Sequence, residues 1–207
     1  YDLVEWNETN FDVNQHPYLR WCYNHQKWAF LSDFARLLIL EEYGGIYMDV
    51  DVELIRDLSP LMNYDAYFGF EEVNYITTGL GFGCISHHPV TQAMLSYYRN
   101  LEMEEDGSYK LITCPVLNTK ALVNMGLKLD GSRQTVCGAE IFPKEYFNPY
   151  DDPTGVLRKT ENTFSINWYG KSWMNKRTII KSNFMKPLHR LFGTDFVLFR
   201  IARKRSE

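Results

Sequence analysis

Two aspartates separated by one residue, Asp49 and Asp51, are the sharpest chemical feature of this 207-residue sequence. They follow the short apolar run Ile46-Tyr47-Met48, and the composition predicts a strand over residues 46–52. Because side chains alternate along a strand, we expect both carboxylates on one face. Such a pair suits a hard divalent cation, which takes oxygen ligands and leaves positions for phosphate oxygens. The sequence therefore predicts a metal-diphosphate site, with two solvated acids at a strand end as the alternative.

A charged pair precedes the aspartates in a helix that should run from about Lys27 to Tyr43 and end at Gly44-Gly45. This helix is apolar nearly all round, which is typical of a buried helix, yet Asp33 and Arg36 lie three residues apart on one face. The planar guanidinium suits a diphosphate, and the carboxylate can accept hydrogen bonds from sugar hydroxyls. The pair is either part of a polar site or a structural ion pair.

Strands and helices alternate along the chain, which favours an α/β layer architecture. We expect further helices over residues 17–26, 89–101 and 114–125, and further strands over 1–6, 65–70 and 79–85. The stretch 131–155 contains three prolines and is predicted to be rich in loops.

Composition excludes several classes of protein. With 45% hydrophobic and 23% charged residues, the chain is not disordered, and no apolar run approaches the length of a membrane span. A net charge of −4 argues against nucleic acid as the main partner. The four cysteines show no zinc-like spacing, and reduced buried thiols are favoured over a disulfide framework.

The charge is distributed unevenly along the chain. Residues 1–170 carry a balance of −12, whereas residues 171–207 carry a balance of +8. The segment 176–207 is therefore predicted to be a basic amphipathic tail, and its part 187–205 mixes apolar bulk with cations. We expect peripheral contact of 187–205 with an anionic membrane, with a helix packed on the body as the alternative.

The segments 32–36 (SDFAR) and 42–53 (EYGGIYMDVDVE) resemble the signature of glycosyltransferase family 32, the sugar transferases with a DXD motif. More distantly, they are similar to the glucosyltransferase domains of large clostridial cytotoxins. The resemblance spans about residues 3–175 and continues through residues 67–71, 78–83, 114–115 and 163–173. It implies a GT-A fold, a Rossmann-like α/β domain, which transfers a sugar from a nucleotide donor with retention at the anomeric carbon.

The resemblance also implies roles for individual residues. Asp49, Asp51 and Arg36 would be catalytic, with the two aspartates holding manganese or, as the alternative, magnesium. The donor would be bound by Ser32, Asp33, Arg36, Tyr47, Thr78, Gly79 and Trp173. Relatives often carry paired histidines where this chain has Asn167-Trp168, so Asn167, Ser172 or a water molecule would complete the metal site.

We therefore predict a retaining, metal-dependent hexosyltransferase that moves a sugar from a UDP- or GDP-sugar to a glycan or lipid-linked glycan, of the bacterial capsular polysaccharide type. Its expected location is cytoplasmic, peripheral at the inner face of the membrane. The GT-A domain would occupy residues 1–175 and lack the first strand of the fold before Tyr1. The alternatives are a non-catalytic module that binds nucleotide-sugars or glycans, and a structural calcium site at Asp49 and Asp51.

Overall fold

A mixed sheet of six strands lies at the centre of the part of the chain that the computed structural model describes, residues 1–170 and 176–194. Its strands are β1 (Gly45–Tyr47), β3 (Ala66–Glu72), β4 (Tyr75–Thr77), β5 (Phe82–Cys84), β6 (Gln134–Val136) and β7 (Ala139–Phe142). Two two-stranded sheets accompany it, one formed by β2 (Val52–Leu54) and β10 (Ser165–Asn167), the other by β8 (Tyr150–Asp151) and β9 (Val156–Leu157).

The strand order of the central sheet is β1-β5-β3-β7-β6, and β4 pairs with β3 outside this path. Strands β3 and β7 run parallel, with Ala66 opposite Ala139 and Gly69 opposite Phe142. The other pairings among the described strands of this sheet are antiparallel. The predicted α/β architecture is confirmed, and a mixed sheet that contains a parallel pair fits a GT-A-like fold. The Rossmann-like assignment stays a prediction.

Four helices pack beside the sheet. Each of their ends lies within two residues of the position predicted from the sequence. They are α1 (Pro17–Asn24), α2 (Trp28–Tyr43), α3 (Pro89–Arg99) and α4 (Cys114–Asn124). Helix α2 ends where predicted because Gly44 adopts a φ of +65° and donates its N–H to the carbonyl of Leu40 over 2.9 Å. A Cβ at Gly44 would lie 2.9 Å from the backbone nitrogen of Ser86, so a side chain there is excluded.

The main core lies between these helices and the central sheet. Phe34 of α2 stacks on Tyr98 of α3 with ring centroids 5.1 Å apart, and Phe68 of β3 stacks on Phe82 of β5 at 5.3 Å. A second buried cluster contains Leu80, Phe142, Phe147 and Phe164 among others. The two clusters fix α2 and the carboxyl end of β1 relative to each other, and the candidate site lies between these elements.

The predicted strand over residues 46–52 is wrong in its second half. Strand β1 stops at Tyr47, residues 49–52 form a turn in which Val52 N–H donates to the Asp49 carbonyl over 3.1 Å, and β2 begins at the last residue of this turn. The reason is that β1 and β2 belong to different sheets, so the chain must change direction between them. Asp49 and Asp51 therefore do not occupy alternate positions on one strand.

Three other expectations need correction. Residues 1–6 form no strand, because they lie exposed and no described strand pairs with them; Leu3 is 99% exposed. The stretch 131–155 contains β6 and β7, because β7 pairs with β3 and β6 pairs with β7, although turn-forming residues lie nearby in the sequence. In the predicted strand 79–85 only β5 is extended, because residues 78–80 turn toward Asp49.

The remaining sequence predictions concern the cysteines and the tail. All four cysteines are free thiols, and Cys22, Cys84 and Cys114 are buried while Cys137 is exposed. The tail begins with helix α5 (Lys176–Phe192), and residues 195–207 lie outside the described part of the chain. Among the described residues, no helix has both the length and the hydropathy that a membrane span requires.

Strand β7 offers a direct test of the central sheet. Ile141 is fully buried in β7, so Ile141→Ala should lower the free energy of unfolding by about 2–5 kcal/mol, through lost burial and the cavity left behind. The measurement is urea unfolding followed by far-UV circular dichroism. Ile85→Ala is the matched control, because Ile85 is 52% exposed, and it should cost less than about 1 kcal/mol. Equal losses in both variants would contradict the placement of β7.

Candidate functional site

The guanidinium of Arg36 is the centre of the candidate site. Arg36 is only 3% exposed, and it is held by its own helix: Nε donates to the Ser32 carbonyl over 3.0 Å, and Nη2 donates to Ser32 Oγ over 3.3 Å. Nη2 also donates to Asp33 Oδ1 over 2.6 Å. Because these bonds all lie within one and a half turns of α2, the orientation of the guanidinium is set by a single element.

Asp49 approaches the same guanidinium from the end of β1. Its Oδ1 lies 3.4 Å from Arg36 Nη2 and accepts a hydrogen bond of 2.8 Å from the Tyr47 hydroxyl. The Tyr47 ring lies against Arg36, whose Cζ is 4.7 Å from the ring centroid. The side chain of Asp49 is 33% exposed, so the carboxylate connects the buried cation to the surface. The structure thus brings Asp33, Arg36, Tyr47 and Asp49 together.

Gly79 forms the wall of the site opposite Arg36. A Cβ at this position would lie 2.3 Å from Asp49 Oδ2 and 3.2 Å from Arg36 Nη1, so any side chain would displace the carboxylate. The Gly79 carbonyl in turn accepts the backbone N–H of Asp49 over 3.3 Å. The neighbouring Thr78 is fully buried, and its hydroxyl accepts from Asn118 Nδ2 over 3.2 Å. Thr78 therefore supports the wall from behind.

One donor of the guanidinium has no hydrogen-bond partner among the residues that the structure describes. Arg36 Nη1 is buried and unpaired, although Nε and Nη2 are both engaged. A buried N–H without a partner costs free energy, more so when it belongs to a charged group. An anion that reaches the space beside Gly79 would supply the missing acceptor, and an arginine fork is suited to phosphate oxygens.

Burial and the neighbouring charges shift the pKa values in this cluster. Burial raises the pKa of Asp33 to about 6; Arg36 opposes the shift and Asp49 adds to it. Burial alone would lower the pKa of Arg36, but Asp33, Tyr47 and Asp49 raise it above its ordinary value. Burial also raises the pKa of Tyr47. The cluster is therefore one permanent cation between two carboxylates, and burial makes Asp33 harder to ionise than an ordinary aspartate.

Asp51 and Asn167 lie on the other side of the turn. Asp51 Oδ2 accepts the backbone N–H of Gly170 over 2.6 Å, and its carbonyl accepts the N–H of Trp168 over 3.0 Å. Asn167 stands opposite Val52 in the β2–β10 pair, is 8% exposed, and its Oδ1 accepts the N–H of Tyr169 over 2.9 Å. Of the four residues predicted as metal ligands, Asp51 thus immediately precedes Val52, which stands opposite Asn167, and Asp51 and Asn167 each have a backbone partner.

Ser172 and Trp173, predicted from the resemblance to complete the metal and donor sites, lie outside the described residues. Their roles, and those assigned to the other predicted site residues, stay predictions.

Two polar clusters next to the site are not predicted as such from the sequence. In the first, Cys114 at the start of α4 contacts the Thr77 hydroxyl at 3.0 Å, and burial raises the pKa of its thiol to about 12. In the second, the Tyr169 hydroxyl donates to Glu71 Oε1 over 3.3 Å and accepts from Asn148 Nδ2 over 2.6 Å. Both clusters join residues far apart in the chain, so local patterns do not reveal them.

The donor set of the turn fits a divalent cation shared with a ligand. The described residues contain no group of three or more His, Cys, Asp or Glu side chains that could hold a metal alone. Mg²⁺ and Mn²⁺ are commonly held by one or two carboxylates, with phosphate oxygens and waters as the remaining ligands. Asp49, Asp51 and the Asn167 amide are oxygen donors of this kind, and Asp49 lies 3.4 Å from the buried guanidinium of Arg36.

Comparison with known proteins connects this geometry to sugar transfer. Residues 1–68 match a family model described as a glycosyltransferase sugar-binding region containing a DXD motif. The matched part includes α1, α2 and the turn with Asp49 and Asp51.

Two curated relatives are also transferases. Inositol phosphoceramide mannosyltransferase 3 of Schizosaccharomyces pombe is 30% identical over 105 residues, which cover 49% of this chain and 28% of that protein. Alpha-1,4-N-acetylglucosaminyltransferase of Homo sapiens is 40% identical over 58 residues, which cover 28% of this chain and 16% of that protein. The chain thus matches less than a third of the length of these relatives. The similarities support a glycosyltransferase, and the assignment to family 32 and to toxin-like domains stays a prediction.

The raised pKa of Asp33 predicts how stability depends on pH. The ordinary pKa of an aspartate is 3.8 and that of folded Asp33 is about 6, so between these values the folded state retains a proton that the unfolded state has lost. Ionisation of Asp33 should therefore lower the free energy of unfolding as the pH rises from about 4 to about 6. Asp33→Asn should remove this contribution, which urea unfolding of both proteins at several pH values would measure.

The control for this test is Asp106→Asn. Asp106 is an exposed carboxylate whose pKa is lowered by the hydroxyl and backbone of Ser108. The Asp106→Asn variant should therefore show the same fall in the free energy of unfolding with rising pH as the wild type. The placement of Asp33 is contradicted if the stability of the wild type and of Asp33→Asn changes in parallel over this pH range.

Proposed function

We propose that this protein is a metal-dependent glycosyltransferase that moves a hexosyl group from a UDP- or GDP-sugar to a glycan or lipid-linked glycan acceptor. The observation that carries the proposal is the unpaired, buried Nη1 of Arg36 beside Gly79, with the carboxylates of Asp33 and Asp49 on the same guanidinium. A diphosphate would supply oxygens to this N–H, and a divalent cation held beside it would offset the repulsion between the diphosphate and the two carboxylates. The family match and the two transferase relatives favour a sugar as the group attached to it.

Arg36 supplies fixed positive charge for the leaving group. Cleavage of the bond between the anomeric carbon and a phosphate oxygen builds negative charge on the diphosphate. A donor that is already oriented and buried stabilises that charge without reorganising, which is typically worth several kcal/mol. Ser32 and Asp33 hold the guanidinium in place through bonds within α2, so the orientation is present before the donor binds.

Asp49, Asp51 and Asn167 are the residues proposed to hold a divalent cation, with manganese favoured and magnesium as the alternative. When bound, the cation would offset part of the negative charge that develops on the diphosphate. Tyr47 keeps Asp49 in position through its hydroxyl, and Gly170 does the same for Asp51 through its N–H. Both carboxylates therefore meet the cation already oriented.

Retention at the anomeric carbon, which the resemblance implies, is proposed to follow a same-face substitution. The acceptor oxygen forms a bond to the anomeric carbon as the bond to the phosphate oxygen breaks. The hydroxyl proton passes to the departing diphosphate, so no separate base is required. Asp33, which is ionised above a pH of about 6, can accept a hydrogen bond from a hydroxyl of the donor sugar.

The names of the relatives define the donors and acceptors that should be tried first. One relative is named for mannose transfer to inositol phosphoceramide and the other for N-acetylglucosamine transfer. We therefore place GDP-mannose and UDP-N-acetylglucosamine at the head of a donor panel, and include a glycolipid among the acceptors. The location at the inner face of a membrane stays a prediction.

A non-catalytic module that binds nucleotide-sugars is the second candidate. Its support is Asn167: this amide stands where relatives often have a histidine, and its Oδ1 already accepts the N–H of Tyr169. An amide is a weaker metal ligand than an imidazole, so the cation could be held for binding without fast turnover.

The decisive measurement is the release of nucleoside diphosphate from the donor panel in the presence of manganese. We expect release from one donor, and a fall of about 100-fold or more in Asp51→Asn and in Asp49→Asn, because each variant loses one negative charge toward the cation. These substitutions retain an oxygen that can accept the N–H of Gly170 or the hydroxyl of Tyr47, so the turn should survive.

Asp106→Asn serves as the matched control and should release nucleotide at the wild-type rate. Manganese-dependent nucleotide binding without release would favour the binding module. A protein that neither releases nor binds a nucleotide would refute the proposed function. Unchanged release in Asp49→Asn and Asp51→Asn would refute the proposed metal site alone.

A further inference from the structure

Helix α5 is attached to the body through one of its faces. Lys186 Nζ donates to the Tyr150 hydroxyl over 2.9 Å and lies 3.2 Å from Asp152 Oδ1. One turn later, Arg190 Nε donates to the Thr154 carbonyl over 2.6 Å, and His189 Nδ1 lies 2.9 Å from the Pro153 carbonyl. These contacts fix the rotation of α5 against the β8–β9 hairpin. His189 and Arg190, which belong to the predicted membrane segment 187–205, therefore face the body.

The opposite face of α5 carries an apolar stripe formed by Ile180, Phe184 and Leu191. Their side chains are 68%, 77% and 76% exposed, respectively. Spacings of four and seven residues place them on one side of a helix with 3.6 residues per turn. Since Lys186 and Arg190 hold the other side to the hairpin, the stripe points away from the body. Large apolar side chains aligned in this way usually mark an interaction surface.

Cations flank the apolar stripe. Helix α5 contains five Lys or Arg and no Asp or Glu. Arg177 and Lys181 are exposed beside the stripe, and neither forms an ion pair with any residue that the structure describes. The sequence beyond α5, residues 195–207, adds four more cations against two acids and contains the apolar run 196–199. The partner of this surface should therefore be apolar at its centre and negatively charged at its edge.

We propose that the apolar stripe of α5 rests on an anionic lipid bilayer, with Arg177 and Lys181 at the level of the phosphate groups. An amphipathic helix of this kind buries its apolar side chains at the boundary between headgroups and acyl chains, and each nearby cation adds attraction to anionic lipid. The surface is defined by α5 itself, which moves the predicted contact from residues 187–205 toward the start of the helix.

A second copy of the chain fits the stripe less well. A stable interface buries roughly 800 Å² on each partner, which is more than three side chains on a single helix provide. A twofold dimer built on this face would also bring together two helices that each contain five Lys or Arg and no Asp or Glu, and like charges repel. A bilayer imposes neither constraint, because it is continuous and carries the opposite charge.

Flotation of the full chain with lipid vesicles tests the proposal, and it goes beyond the proposed function because no sugar donor is required. The protein should float with phosphatidylcholine vesicles that contain about 30% phosphatidylserine and much less with phosphatidylcholine alone. The double variant Ile180→Ser/Phe184→Ser should reduce the bound fraction about tenfold or more, because both side chains lose their burial in lipid. Both residues are exposed, so circular dichroism should show the fold unchanged.

Matched controls separate the apolar contribution from the electrostatic one. Met62→Ser alters an apolar side chain that is 64% exposed elsewhere, and it should float like the wild type. Arg177→Ser/Lys181→Ser should weaken binding at low salt and change it little at high salt, whereas Lys159→Ser should not weaken it. The proposal is overturned if the wild type does not float, if Ile180→Ser/Phe184→Ser floats equally well, or if that variant instead dissociates a dimer in sedimentation velocity.

Discussion

A permanent cation buried between two carboxylates is the constraint on which the rest of this structure depends. Arg36 is 3% exposed, and removing a charge from water is costly unless its hydrogen bonds are satisfied and an opposite charge lies close. Asp33 meets this need from within α2, but Asp49 must be brought from the end of β1. The main core holds that helix against that strand, and Gly79 leaves the space in which Asp49 fits. The ion cluster thus depends on the packing of the core, on the strand order and on the lack of a side chain at position 79.

Much of the fold could be predicted from the sequence where its causes are local. The starts of α1, α3 and α4 carry Pro at their first turns, and Gly44 ends α2, so periodicity and capping residues suffice to place them. Strand β7 could not be placed in this way, because it lies between β6 and β3 in the sheet, and β3 is about 70 residues earlier in the chain. Residues 1–6 show the converse: their composition suits a strand, but no described strand pairs with them.

The site follows the same division between local and distant causes. Asp33 and Arg36 could be identified because two charges in an apolar helix need an explanation, and the structure joins them at 2.6 Å. The geometry of Asp49 and Asp51 could not be predicted correctly, because the turn between them exists only where the chain leaves one sheet for another. The contacts of Asn148 with Tyr169 and of Cys114 with Thr77 connect residues at least 20 positions apart, which no local pattern encodes.

The bond between Asp51 and the Gly170 N–H has a thermodynamic consequence for the whole molecule. It connects the Asp51 carboxylate, which precedes β2, to the segment that follows β10. The interactions of this carboxylate and the pairing of β2 with β10 are therefore thermodynamically coupled. By reciprocity, a cation that binds Asp51 more tightly when β10 is paired must strengthen that pairing by the same factor. Amide hydrogen exchange in β10 would then depend on cation concentration, although the exchanging groups make no contact with the ion. The rate of hydrogen exchange in β10 would thus report the fraction of molecules in which the cation site is occupied.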